Sequence, residues 1–327
     1  MQIPTFDDVI QASQRLTGHA YSTPLIRSDY IDELTQHKVW FKPECNQKVG
    51  AFKYRGAFNR LSALKAEEKK MGVVAFSSGN HAQGVSRAAK ELGISAVIVM
   101  PSDAPEVKVA GVKADQAKII FYDRNTQNRE EIAQRISIAE GRIVVPSFDD
   151  PYIIAGQGTV GLEVAEEAER MNVSFDALIT CIGGGGLCAG ISLAMNELSL
   201  ETEIYGAEPE KYNDHQMSLR AGKRIGLIET PHTLCDALMT PKPGELTFAI
   251  NQHSLTDVFS VSDDDCLRAM AIGKKELDVT LEPGGAVAFA SLLNGNIGQQ
   301  NKNICVILSG GNVDPKILKR ALDISIG

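Results

Sequence analysis

No two cysteines in this chain are spaced as C-x-x-C, and no cysteine–histidine spacing matches a zinc site. Cys45, Cys181, Cys188, Cys235, Cys266 and Cys305 lie scattered, as expected of buried thiols in a reducing compartment. Basic residues are outnumbered, 33 Lys+Arg against 41 Asp+Glu, for a formal net charge of -8. With no basic stripe against that balance, nucleic acid and anionic membrane surfaces are excluded as partners. No apolar run approaches the ~20 residues of a membrane span. The opening MQIPTFDDVIQ has neither a basic region nor an apolar stretch, so no secretion signal is expected and the expected compartment is the cytoplasm. Internal repeats, low-complexity tracts and a flexible linker are also missing. What is there, 43% hydrophobic and 23% charged residues in a chain of 327, is the make-up of a folded globular protein of two domains or one large one.

Short apolar runs alternate with helical stretches. Val73–Phe76, Ala96–Met100 and Lys118–Tyr122 read as strands, and His81–Leu92, Pro105–Ala114 and Thr126–Glu140 as helices, with Gly93 and Gly141 as stops. Further on, Asp150 caps a helix that has Pro151 at its first position. Strands follow at Ala177–Ile182, Glu203–Ala207 and Ile304–Leu308, and helices at Leu187–Leu198, Cys266–Leu277 and after Pro315. Repeated strand–helix units predict an α/β fold with parallel sheets covered by helices.

Four polar, glycine-rich segments border predicted strands. Gly183-Gly184-Gly185-Gly186 lies between a strand and a helix, where consecutive N–H groups and the helix N-terminus suit a phosphate; the alternative is a tight turn. Gly184, Gly186 and Ala189 also satisfy a loose dinucleotide fingerprint, with Glu208 placed to hold a ribose. Lys53, between apolar residues after a glycine turn, is either a buried nucleophilic amine or a lysine on a helix surface. Ser77-Ser78-Gly79-Asn80-His81 opens a helix and either docks a carboxylate or only caps that helix. Leu308-Ser309-Gly310-Gly311-Asn312 follows the last strand. In an open parallel sheet, loops at the strands' carboxyl ends share a cleft. A phosphate site, an amine and a carboxylate site in one cleft suggest a phosphorylated aldehyde cofactor and an amino-acid substrate.

These blocks, Gly50-Ala51-Phe52-Lys53-Tyr54-Arg55-Gly56-Ala57, SSGNHAQG at 77–84, Gly156-Gln157-Gly158-Thr159, the four glycines and Ser309–Asn312, are similar in order and spacing to one family. The chain resembles the fold type II pyridoxal-phosphate enzymes, in the branch of serine/threonine dehydratases and serine racemases, with hydroxyaspartate dehydratases close by. The resemblance implies the tryptophan synthase β-like fold, two open parallel-sheet domains with helices on both faces. It implies a discontinuous large domain, 1–64 and 149–327, and a small mobile domain, 72–148, that closes over substrate. Lys53 would hold the cofactor and serve as base on one face of the substrate, with Phe52 packed beside it. Gly183, Gly184, Gly185, Gly186 and Leu187 would hold the phosphate, Asn80 the phenolic oxygen, and Ser309 the pyridine nitrogen. Ser78, Gly79, Asn80 and His81 would take the substrate carboxylate.

The implied activity is an ammonia-lyase reaction, in which serine, threonine or 3-hydroxyaspartate gives a 2-keto acid and ammonia. A serine facing the ring nitrogen leaves it unprotonated, which favours prompt loss of a β-hydroxyl over a long-lived carbanion. Ser78 could protonate the opposite face of Cα, so a serine or aspartate racemase on the same scaffold is the first rival. The resemblance also implies a divalent cation, magnesium, calcium or manganese, held by Glu208, Asp214 and the Tyr212 carbonyl, and a homodimer. Rivals from other classes are a nicotinamide-dependent dehydrogenase and a non-catalytic ligand-binding regulator. Asp236-Ala237-Leu238 and Pro241-Lys242-Pro243-Gly244 depart from the family's runs near the reacting group, and no C-terminal regulatory domain is expected. His19, His37, His215, His232 and His253 have no ligand spacing and read as ordinary residues; Asp263-Asp264-Asp265 reads as a solvated helix start, and Glu282 as a neighbour of the cofactor ring.

Overall fold

Runs rich in Val, Ile and Ala form strands buried on both faces when helices cover a parallel sheet. The computed structural model describes residues 2–229 and 231–324. Among these residues it contains nine strands: β1 (Lys38–Lys42), β2 (Val73–Phe76), β3 (Ala96–Pro101), β4 (Lys118–Tyr122), β5 (Ile143–Val144), β6 (Ala177–Cys181), β7 (Glu203–Pro209), β8 (Leu255–Val261) and β9 (Asn303–Ile307). They form two sheets, of order β1-β9-β6-β7-β8 and β4-β3-β2-β5, in which every strand pair is parallel. In the first sheet the chain runs outward from β6 to β8, then returns to β9 on the other side of β6. That reversal creates a crevice at the carboxyl ends of β6 and β9.

Most helix ends follow the sequence signals. Asp150 accepts from the backbone N–H groups of Tyr152 (2.9 Å) and Ile153 (3.0 Å), and Pro151 opens the helix Pro151–Met171. Ser262 caps Asp263–Leu277 through the N–H of Asp265. The helix expected from Thr126 instead starts at Arg129, because the Asn128 side chain takes the N–H groups of Glu130 and Glu131. The acidic run at 263–265 does more than meet solvent. Asp263 accepts from the Thr233 hydroxyl (2.6 Å) and the Leu234 N–H (3.0 Å), tying down the loop beside the crevice.

The helix Lys53–Ser62 is held from both sides. Tyr54, Phe58 and Leu61 enter the core of the second sheet beside Val73, Ala75 and Ile98. The opposite side lies so close to Pro151–Met171 that a Cβ on Gly156 would stand 2.6 Å from the Gly56 Cα. The Gly156–Thr159 block is therefore a packing element that fixes the lysine-bearing helix: Gln157 also accepts from the Gly56 N–H at 3.1 Å. Below it runs a buried ion-pair network. The Arg55 guanidinium forks onto both oxygens of Glu44 (2.7 Å each) and reaches Glu163 at 2.6 Å. Glu163 is shared with Lys42, which lies 2.7 Å from it and 2.8 Å from Glu167.

Candidate functional site

The strand ends of both sheets open on one cavity of about 570 Å³. Lys53 sits at the first position of its helix and reaches into this space, where Nζ donates to the Ser147 carbonyl at 2.7 Å. Burial lowers its pKa from an ordinary 10.5 to about 8, which leaves roughly a tenth of the amine neutral at pH 7, far more than an ordinary lysine. The Phe52 ring lies alongside, 5.2 Å from Nζ to centroid.

After β2, Ser77 turns the chain by accepting from the Gly79 N–H (3.1 Å), and Asn80–Leu92 begins with its N-terminus toward the cavity. Ser78, Gly79, Asn80 and His81 all line it. His81 is buried. Desolvation first, and the neighbouring Lys53 charge second, push its pKa down to about 3. The ring is therefore neutral, and Nε2–H donates to the Val145 carbonyl at 3.0 Å. The Asn80 amide donates to Glu282, and its oxygen accepts from Asn312 at 2.9 Å.

The glycine loop follows β6. Gly185 has φ 95°, and a Cβ there would come within 2.8 Å of the Asn251 amide nitrogen and 2.9 Å of both His215 Nε2 and the Thr247 hydroxyl. A side chain is excluded twice, by the torsion and by this wall. Thr247 donates to the Gly184 carbonyl (2.7 Å) and Asn251 to the Gly185 carbonyl (3.3 Å), so these carbonyls are tied away from the cavity. No side chain caps the helix Gly186–Leu198 that follows. Its N-terminus and Leu187 line the cavity and suit an anion. On the neighbouring strand end, Ser309 accepts from the Cys181 thiol at 3.1 Å, whose pKa burial pushes up to about 11.

Sequence reasoning missed the ion pairs that span the cavity. Lys108, from the helix Glu106–Ala114, reaches Asp236 at 2.7 Å and Glu282 at 3.1 Å. Burial alone would lower the Lys108 pKa, but Glu282 and Asp236 together carry it above its usual range. Burial also raises the Glu282 carboxyl, against the attraction of Lys108. Lys108 lies more than a hundred positions before both acids in the chain, and no local pattern pairs it with them.

The proposed cation residues divide. Tyr212 lines the cavity, whereas Glu208 and Asp214 are buried outside it. The Glu208 carboxylate accepts from the N–H groups of His215 (3.3 Å) and Gln216 (2.9 Å) and is buried outside the cavity, where a ribose bound at the glycine loop does not reach it, so the dinucleotide reading loses its acid. Burial, then the Asp214 charge, raises the Glu208 carboxyl well above its ordinary range; burial also raises Asp214. His215, expected to be an ordinary residue, stands with Nδ1 3.6 Å from Asp214.

A partly neutral lysine amine, an uncapped helix start behind a glycine loop and a serine hydroxyl on the adjoining strand end together fit a phosphorylated carbonyl cofactor. They define the class of doubly wound α/β enzymes that bind pyridoxal phosphate. The comparisons with known proteins agree: residues 16–310 match the family model described as pyridoxal-phosphate dependent enzyme, and the chain belongs to that family as a fold type II member. It is 42% identical over 312 residues to the serine racemase of Schizosaccharomyces pombe, covering 95% of each chain. It is also 42% identical over 316 residues to the L-threo-3-hydroxyaspartate ammonia-lyase of Saccharomyces cerevisiae, covering 97% of this chain and 95% of that one. The structure of maize serine racemase superposes with a TM-score of 0.92 at 36% identity, covering 98% of this chain and 97% of that one. Among the described residues, no helix is long and apolar enough to cross a membrane.

Proposed function

We propose that the chain is a pyridoxal-phosphate-dependent ammonia-lyase acting on serine, threonine or 3-hydroxyaspartate to give a 2-keto acid and ammonia. The observation that carries this reading is the Lys53 amine, buried and lowered to about 8, in one cavity with the glycine loop and the Ser77–His81 loop. When bound, the cofactor supplies an electron sink that makes the substrate Cα–H acidic. Lys53 Nζ would hold it, the N–H groups of 183–187 its phosphate, Asn80 its phenolic oxygen and Ser309 its ring nitrogen, with Phe52 alongside.

This chain's residues then do the following. The N-terminus of Asn80–Leu92, with Ser78, Gly79 and His81, binds and orients the substrate carboxylate. Lys53 Nζ, with a pKa near the working pH, takes the proton from one face of Cα. Because Cys181 already donates to Ser309 Oγ, the serine keeps its own proton to donate to a neutral ring nitrogen. Residues 72–148 act as a mobile lid over the remainder of the chain. The Lys108 pairs to Asp236 and Glu282 are the contacts that closure makes.

One observation favours a second activity: Ser78 lines the same cavity, and its hydroxyl would carry a proton to the opposite face of Cα, as racemisation requires. A divalent cation, magnesium, calcium or manganese, is the natural partner of the buried Glu208 and Asp214, and the Tyr212 carbonyl would complete its oxygen ligands. The same reading makes the enzyme a cytoplasmic homodimer, which light scattering tests. The function itself is tested by 2-keto acid release from L-serine, D-serine, L-threonine and the 3-hydroxyaspartate stereoisomers. Release from one of them, lost in Lys53→Ala, is the expected result; no release from any member overturns the lyase reading.

A further inference from the structure

We propose that His215 is a side-chain ligand of the divalent cation at Glu208 and Asp214, and that its nitrogen shifts the site toward Mn2+ and similar first-row ions over Mg2+ and Ca2+. The inference rests on the cation reading above and adds to it a ligand that the all-oxygen set lacks.

Among the described residues, Glu208, Asp214 and His215 form the group whose ligand atoms all lie within 4.8 Å of one another. Ligands that share a first-row ion at about 2.1 Å each stand at most roughly 4.2 Å apart, so small side-chain rotations close the set. The two carboxylates are fully buried, and among the described residues no lysine or arginine pairs with either. Neither oxygen of Asp214 has a hydrogen-bond partner there within 3.5 Å; His215 Nδ1 stands just beyond, at 3.6 Å. To remain ionised, two acids in that position need a cation to offset their desolvation.

The independent observation is the imidazole. His215 is 1% exposed, and neither ring nitrogen has a hydrogen-bond partner. Leaving both nitrogens unsatisfied is costly in a protein interior. Nδ1 faces Asp214 at 3.6 Å, while Nε2 faces Gly185, whose Cβ, if present, would lie 2.9 Å away. A cation bound by Nδ1 satisfies that nitrogen and fixes the proton on Nε2, toward the wall of Thr247 and Asn251 behind the glycine loop. The neighbouring Gln216 offers no rival ligand. Its amide donates to the Val258 carbonyl at 2.6 Å and its oxygen accepts from Ser260 at 3.4 Å. Two carboxylates and an imidazole suit first-row divalent ions better than the hard alkaline-earth ions do.

Pulsed EPR on chelator-stripped holoenzyme reloaded with Mn2+ tests this. The expected result is one Mn2+ per chain with the ¹⁴N modulation of a directly bound imidazole. In His215→Ala that modulation disappears, and Mn2+ affinity falls by roughly tenfold or more, the scale reached even by outer-shell partners. Ca2+ affinity changes by less than about threefold, since calcium prefers oxygen ligands. Mn2+ bound without nitrogen modulation, or modulation that persists in His215→Ala, overturns the assignment of His215 and leaves the carboxylate site standing. Holoenzyme that binds no stoichiometric Mn2+ overturns the cation reading together with it. The wild-type spectrum alone decides the ligand, so a poorly folding variant does not blunt the test.

Discussion

Arg55→Met isolates what the buried network under the lysine-bearing helix contributes. Arg55 is 1% exposed and Glu44 fully buried, and Arg55 supplies both of the charged donors that Glu44 receives. Without the guanidinium, Glu44 keeps only the Thr23 hydroxyl at 2.5 Å. Glu163 fares better, because Lys42 remains 2.7 Å away. The substitution thus leaves one uncompensated buried carboxylate, a situation that costs about 3–5 kcal/mol. At about 2.1 cal/mol/K per residue, a chain of this length has an unfolding entropy of about 0.7 kcal/mol/K, so the melting temperature should fall by roughly 4–7 °C. Differential scanning calorimetry of the holoprotein reads this directly. The double variant Arg55→Met/Glu44→Gln removes the stranded charge and should recover most of the loss. A single variant that melts within about 1 °C of wild type would refute the reasoning, as would a double variant no better than the single.

Other outcomes follow from the site. In cofactor-free protein the unfolded chain keeps the Lys53 proton up to 10.5, whereas the folded chain sheds it at about 8. Between these values the unfolded state binds more protons at this group, so the destabilisation that Lys53 causes fades as pH rises. Lys53→Met should therefore be the more stable protein at pH 7, with an advantage that shrinks between pH 8 and 10.5 in thermal melts. Ser78→Ala should lower any serine racemisation by roughly 10²-fold or more while 2-keto acid release stays within about threefold, as read by chiral chromatography beside a keto-acid assay. Gly185→Ala, forced into a left-handed torsion against Asn251 and Thr247, should weaken pyridoxal-phosphate binding by roughly 5- to 150-fold in a fluorescence titration.

Much of the site was legible because it is local. The glycine loop, the Ser77–His81 turn and Ser309 each follow a strand whose apolar run is plain in the sequence, and parallel topology brings those strand ends together. β1 and β8 were not legible. Lys38 and Lys42 bracket β1 and Asp257 interrupts β8; both are edge strands, where Lys38 and Asp257 are tolerated, while buried Lys42 is held by Glu163 and Glu167. The helix Pro283–Leu293 gives no helical period, since it is apolar all round and buried on every side. Lys108 lies in a helix with no signal of its own in the sequence; only the fold sets it beside Asp236 and Glu282. His215 meets its carboxylate neighbours for a related reason. Histidine beside aspartate in sequence carries no ligand spacing, and a group of three forms only when the turn after β7 brings Asp214 and His215 back to Glu208.

The central claim is that Lys53 carries the cofactor. Holoenzyme treated with borohydride, digested and mapped by mass spectrometry tests it most directly. The account predicts loss of the visible absorbance and a single reduced pyridoxyl group on the peptide that contains Lys53. A pyridoxyl group on Lys108 or any other lysine, or absorbance that borohydride leaves unchanged, would contradict it.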